Sequence, residues 1–129
     1  MRQSIACIAV AGGGAIGSVM RYLLSTWFVQ RFGIGLPWGT FFINVSGAFV
    51  IGLVLQYAAM RTNMSPYLRL FLATGILGGY TTFSTFAYEI YALSSDKLSA
   101  ASVIYAAGSV VLGVAAALAG IAIVRSALS

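Results

Sequence analysis

"GILGGYTTFSTFAYEI", residues 75–90, is the stretch on which the reading of this chain turns. Three glycines are followed by hydroxyls and phenylalanines: Thr81, Thr82, Phe83, Ser84, Thr85, Phe86. The sequence around it is apolar over membrane-length distances. A helix crossing the hydrocarbon core takes about 20 mostly apolar residues. Polar groups at that depth are costly and usually functional. The stretch therefore sets weak helix formers and a run of hydroxyls inside a candidate span.

Composition supports the bilayer. Of 129 residues, 60% are hydrophobic and 7% charged, and the mean hydropathy is +0.98. A soluble domain carries roughly 25% charged residues, so this chain has too few to cover a water-facing surface. The net charge is +5, but the seven basic residues are scattered. They form no stripe that could track phosphates, and a nucleic-acid partner is not expected. They fall mostly at segment ends, where they anchor. There is no histidine, and Glu89 and Asp96 are the only two carboxylates. That leaves little for enzyme chemistry or a proton relay. The single cysteine, Cys7, cannot form an internal disulfide and reads as inert packing.

Outward from the opening stretch, four spans are expected at about 5–28, 38–60, 70–93 and 100–124, as one all-α domain over 1–129. The start could mimic a signal peptide, but its apolar character runs past any plausible cleavage site, so it reads as a retained first span. Connectors at 30–37, 61–67 and 94–99 are short and make neighbouring helices antiparallel. Both termini then share a side with Arg2, Arg61, Arg69 and Arg125, against Arg31 and Lys97 on the other. This Lys/Arg bias is small. Two orientations stay open: both termini cytoplasmic, or insertion both ways with each chain paired to an inverted copy. Small residues are dense in "AGGGAIG" (11–17) and along the second and fourth spans, which lets helices approach closely in lipid. So small a bundle has no room for a wide pore of its own, and transport would require an oligomer.

The intramembrane polar residues sort onto helix faces. Thr40 and Asn44 are four apart, as are Tyr105 and Ser109, and Phe83 and Phe86 are three apart. Arg21 lies about two-thirds along the first span. Each has a bland reading: Asn44 bonding a neighbouring helix, Tyr105 at the interface, Ser109 bonding its own preceding turn, the phenylalanines as core, Arg21 snorkelling. Together they offer hydrogen-bond donors, one deep cation and ring edges, which carry partial positive charge, and almost no carboxylate. That set suits an anion. Gly75, Gly78 and Gly79 weaken the helix, and the β-branched pair Thr81-Thr82 continues the weakness. An unwound turn there frees backbone carbonyls, which are good ligands for a hard cation.

With these residues in view, the chain resembles the small bacterial Fluc (CrcB-type) fluoride channels over essentially its whole length. The resemblance is carried by "GGGAIGSVMRY" (12–22), "GTFFINVSGAFVIG" (39–52) and "GILGGYTTFSTF" (75–86). It implies an antiparallel, dual-topology homodimer in the bacterial cytoplasmic membrane, with two fluoride pores each built from both subunits. It also implies a central structural Na⁺ held by main-chain carbonyls at the break, here Gly78 and Thr81. Asn44, Phe83 and Phe86 match pore positions, as do Tyr105 and Ser109 with a weaker motif; Thr40, on the Asn44 face, is expected in the pore with them, and Arg21 matches a vestibule arginine. Export would be passive, and no GxxxxGK[ST] motif is present. Two alternatives are set beside it: a small multidrug-type proton-coupled antiporter, for which Glu89 is a poorly placed carboxylate, and an accessory membrane subunit without transport of its own.

Overall fold

The computed structural model describes residues 2–61, 63–94 and 99–129. Asp96 and Lys97, and with Lys97 one member of the charge comparison above, lie outside the described residues. The regular elements of the described chain are all helical. Its elements are α1 (Gln3–Phe32), α2 (Trp38–Met60), α3 (Pro66–Arg69), a π-helical run (Leu70–Leu77), α4 (Gly78–Tyr80), α5 (Phe83–Ser94) and α6 (Ala100–Leu128). Four helical stretches are long and apolar enough to cross a membrane: Gln3–Phe32, Trp38–Met60, Pro66–Ser94 and Ala100–Leu128. All four expected spans are present, and the first, third and fourth are longer than expected.

Local chemistry sets their ends. α1 stops at Gly33, whose φ of 76° is in the left-handed region and whose N–H bonds the Val29 carbonyl at 2.9 Å. Pro66 opens α3 at the position where a missing N–H costs nothing. Ser99 caps α6, accepting from Ser102 N–H at 3.1 Å.

The helices pack as two tight pairs. In one, α1 lies against the first half of the third span, backbone on backbone. A Cβ on Gly13 would fall 2.9 Å from Gly75 Cα, and one on Gly79 would fall 2.6 Å from the Gly14 carbonyl oxygen. Gly17 likewise meets the Ile76 carbonyl. In the other pair, α2 lies against α6, with Gly52 against Ala117 and Gly120 against Phe49. Without a hydrophobic drive between helices in lipid, such close approach is what holds them together.

This corrects the reading of the glycines as breakers. Gly75 sits within the π-helical run, and the helix continues through Gly78 and Gly79. Gly75 and Gly79 are there for their fit against α1. The helical run is interrupted two residues later, at Thr81 and Thr82, where Thr81 is extended (φ −77°, ψ 157°). Just before it, π-helical geometry carries the Gly78 N–H to the Ala73 carbonyl, five residues back.

Little is buried within one chain. Ile43 and Ser102 are fully enclosed and Thr40 nearly so, while Tyr22, Tyr88, Tyr91 and many aliphatic side chains are exposed. Cys7 is also exposed, on the outside of α1, and is not part of the packed interior.

Candidate functional site

The expected site residues fall into three neighbouring groups. Asn44, Phe83, Phe86 and Ser109 line one groove of about 250 Å³, with Thr81, Thr82 and Val110. Thr40 and Tyr105 meet Glu89. Arg21 reaches neither and ends on the backbone before the interruption.

In the groove, Asn44 is turned toward Thr82. Its Nδ2 donates to the Thr82 carbonyl at 3.0 Å and its Oδ1 accepts from Thr82 N–H at 2.8 Å. Asn44 thus bonds a neighbouring segment, as its bland reading had it, and also lines the groove. A side-chain amide has two N–H donors, so one remains after the bond to Thr82. Ser109 Oγ is buried and has no hydrogen-bond partner among the described residues. It does not bond the preceding turn of α6. A buried hydroxyl without a partner is uncommon, and here it lies beside the groove. Phe86 is buried and Phe83 is 79% exposed. Their ring centroids are 5.8 Å apart, and Phe86 meets the Tyr105 ring edge-on at 5.3 Å. One aromatic wall thus runs from the chain's interior to its outer face.

Glu89, weighed in the sequence only as a poorly placed carboxylate, is here the acceptor for two of the expected site residues. Its Oε1 accepts from Thr40 Oγ1 and its Oε2 from Tyr105 OH, both at 2.7 Å. Tyr105 is therefore tied down within the chain. The cluster borders a second cavity, of about 400 Å³, between the α1–α2 connection and α5, with Ser25, Leu36, Trp38 and Thr85 on its wall. The signal available in the sequence was the shared face of Glu89 and Phe86, three apart on α5.

The interruption has an ordered hydrogen-bond pattern. In a continuous helix Thr82 N–H would reach the Gly78 carbonyl, and Thr85 N–H the Thr81 carbonyl. Here Asn44 Oδ1 takes the first donor. Thr82 Oγ1, capping α5, takes the second at 3.3 Å. Thr81 N–H and Oγ1 both go to the Leu77 carbonyl, at 3.0 and 2.8 Å. Arg21 Nε donates to the Gly79 carbonyl at 2.9 Å. No backbone donor among the described residues reaches the carbonyls of Gly78 or Thr81. Two main-chain oxygens without donors fit a hard cation.

Residues 8–121 match the family described as CrcB-like protein, Camphor Resistance (CrcB). The chain belongs to the CrcB family. Relatives named "Fluoride-specific ion channel FluC" extend the match over nearly the full length. That of Rhizobium meliloti (strain 1021) is 44% identical over 92% of this chain and 95% of its own. That of Agrobacterium fabrum is 45% identical over 91% and 94%, and that of Nitrobacter winogradskyi 48% over 92% and 94%. This CrcB chain is a multi-pass membrane protein by its four spans and its family.

Proposed function

We propose that this chain is a passive, fluoride-selective channel that lets F⁻ leave the bacterial cytoplasm across the inner membrane. The observation that carries the reading is the groove. Asn44 and Ser109 supply hydrogen-bond donors with capacity to spare, Phe83 and Phe86 supply ring edges, and no carboxylate or basic side chain lines it. Fluoride is small and holds its water strongly. Donors that replace that water, without a full positive charge to trap the ion, satisfy both demands of conduction: entry and release. The names of the relatives at 44–48% identity give the anion.

The working unit in this reading is an antiparallel homodimer with dual topology. Phe83 lines the groove yet is 79% exposed in the single chain, so the groove lacks a wall that a second copy would supply. The carbonyls of Gly78 and Thr81 would hold a structural Na⁺ at the dimer centre. When bound, the ion would supply a fixed positive charge at these carbonyls. Arg21 braces the segment leading to them.

Fluoride efflux from liposomes containing only this purified protein, read by a fluoride electrode with chloride in parallel, tests the function. Fast fluoride loss without chloride leak is expected. Absence of flux from folded protein would overturn the reading in favour of an accessory subunit.

A further inference from the structure

Thr82 N–H could be taken by either of two acceptors, one along the chain in a continuous helix and one across on α2. One is the Gly78 carbonyl, four residues back, which would rebuild the helix. The other is Asn44 Oδ1, which holds it at 2.8 Å. We propose that Asn44 is the positioning residue of the cation site: by occupying Thr82 N–H it keeps the Gly78 carbonyl available to Na⁺. This inference rests on the assignment of Na⁺ to the Gly78 and Thr81 carbonyls made above.

The geometry makes Asn44 a clamp on a whole peptide residue. Its Nδ2 fixes the Thr82 carbonyl at 3.0 Å while its Oδ1 fixes the Thr82 N–H. Upstream, the helix is intact as far as Thr81, whose N–H still bonds Leu77. Downstream, α5 starts at Phe83 under the Thr82 cap. The departure from the helix is therefore confined to Thr81 and Thr82, and Asn44 is the side chain from another helix that bonds the Thr82 backbone. The Thr81 carbonyl is left without a donor by a local device, the Thr82 hydroxyl. The Gly78 carbonyl is left so by a residue 38 positions away from Thr82 in sequence. Since Asn44 also lines the groove, a single amide serves the anion's wall with one group and the cation's ligand with another.

The two bonds can be separated by substitution. Asn44→Asp keeps an acceptor for Thr82 N–H and loses the donor to the Thr82 carbonyl. Asn44→Leu, of similar size, loses both. The test is thermal unfolding of the full-length protein in detergent, titrated with NaCl against N-methyl-glucamine chloride at fixed ionic strength. Wild type is expected to gain stability with Na⁺. Asn44→Asp is expected to respond at Na⁺ concentrations no higher than about threefold those of wild type, and Asn44→Leu to need at least about tenfold more. A purely structural role would lower every midpoint equally with and without Na⁺, and an Asn44→Leu titration that tracks wild type overturns the inference. If wild type itself ignores Na⁺, the cation assignment fails and this inference with it. Asn44→Ala carries the same expectation as Asn44→Leu should the latter not fold. If neither folds at any Na⁺ concentration, Asn44 is a general packing residue and the inference is overturned.

Discussion

Tyr105 and Glu89 are joined by a 2.7 Å hydrogen bond from the phenolic hydroxyl to Oε2, so a carboxylate stands behind the aromatic wall of the proposed pore. Thr40 occupies its other oxygen. With both oxygens engaged by hydroxyls, Glu89 acts as a fixed acceptor that orients Tyr105 against Phe86. Glu89→Gln keeps one acceptor and is expected to keep fluoride efflux within about threefold of wild type, with no proton movement coupled to it. A proton-coupled antiporter would lose all transport in that variant. Liposome flux with a pH-sensitive dye inside separates the two.

The same pair carries an expectation for stability. Tyr105→Phe leaves a carboxylate oxygen short of a donor in a half-buried place. In a double-mutant cycle with Glu89→Gln, a coupling of roughly 0.5–3 kcal/mol is expected. Reversible unfolding in detergent measures it; zero coupling would mean that water already serves Glu89.

Phe83 and Phe86 are expected to differ in degree in stability but not in function. Phe86→Ile removes the edge contact with Tyr105 and is expected to cost roughly 1 kcal/mol. Phe83 is 79% exposed and its one aromatic contact in the described chain is with Phe86 at 5.8 Å, so Phe83→Ile is expected to shift the unfolding midpoint of dissociated protein less than Phe86→Ile does. Both remove a ring edge from the groove, and both are expected to lower fluoride efflux at least about tenfold. Normal flux through both would remove the rings from the mechanism.

Gly78 and Gly79 make a paired test of the packing. A Cβ on Gly79 would press on the Gly14 backbone, while one on Gly78 finds its nearest neighbour 3.9 Å away. Gly79→Ala is expected to destabilise by at least about 2 kcal/mol. Gly78→Ala is expected to leave the midpoint unchanged or slightly raised, because alanine is the better helix former. Equal effects from the two would show that helix propensity governs this segment, not contact with α1.

Arg21→Lys preserves charge and removes the planar Nε donor. Because that donor holds the Gly79 carbonyl at 2.9 Å, a loss of about 1.5–3 kcal/mol is expected despite the retained charge. If Arg21 served only to concentrate anions, Arg21→Lys would match wild type in both stability and flux.

The spans were legible because apolar length is a property of the sequence alone, and "GTFFINVSGAFVIG" and "GILGGYTTFSTF" carried the family. The location of the interruption was legible only nearly. Glycine lowers helix propensity wherever it occurs, yet Gly75 and Gly79 serve contact with Gly13 and Gly14, a tertiary fact invisible to local propensity. The Glu89 cluster was hidden for a similar reason. Thr40 lies 49 residues from Glu89, and nothing in either neighbourhood announces that a hydroxyl will point at a carboxylate. Asn44 could be read as polar and deep, but its hold on Thr82 requires knowing which helix it faces.

The π-helical run has a consequence for insertions and deletions. Most apolar spans absorb a change in length by tilting or by shifting a loop. In Leu70–Leu77 a change in length also meets the helix geometry itself, because the wider π-helical turn holds an extra residue. A deletion there would exchange the wider turn for an ordinary one, and an insertion would have to be taken up beyond it. Within the run Gly75 is held to glycine by Gly13, so the third span is a fitted surface as well as a crossing.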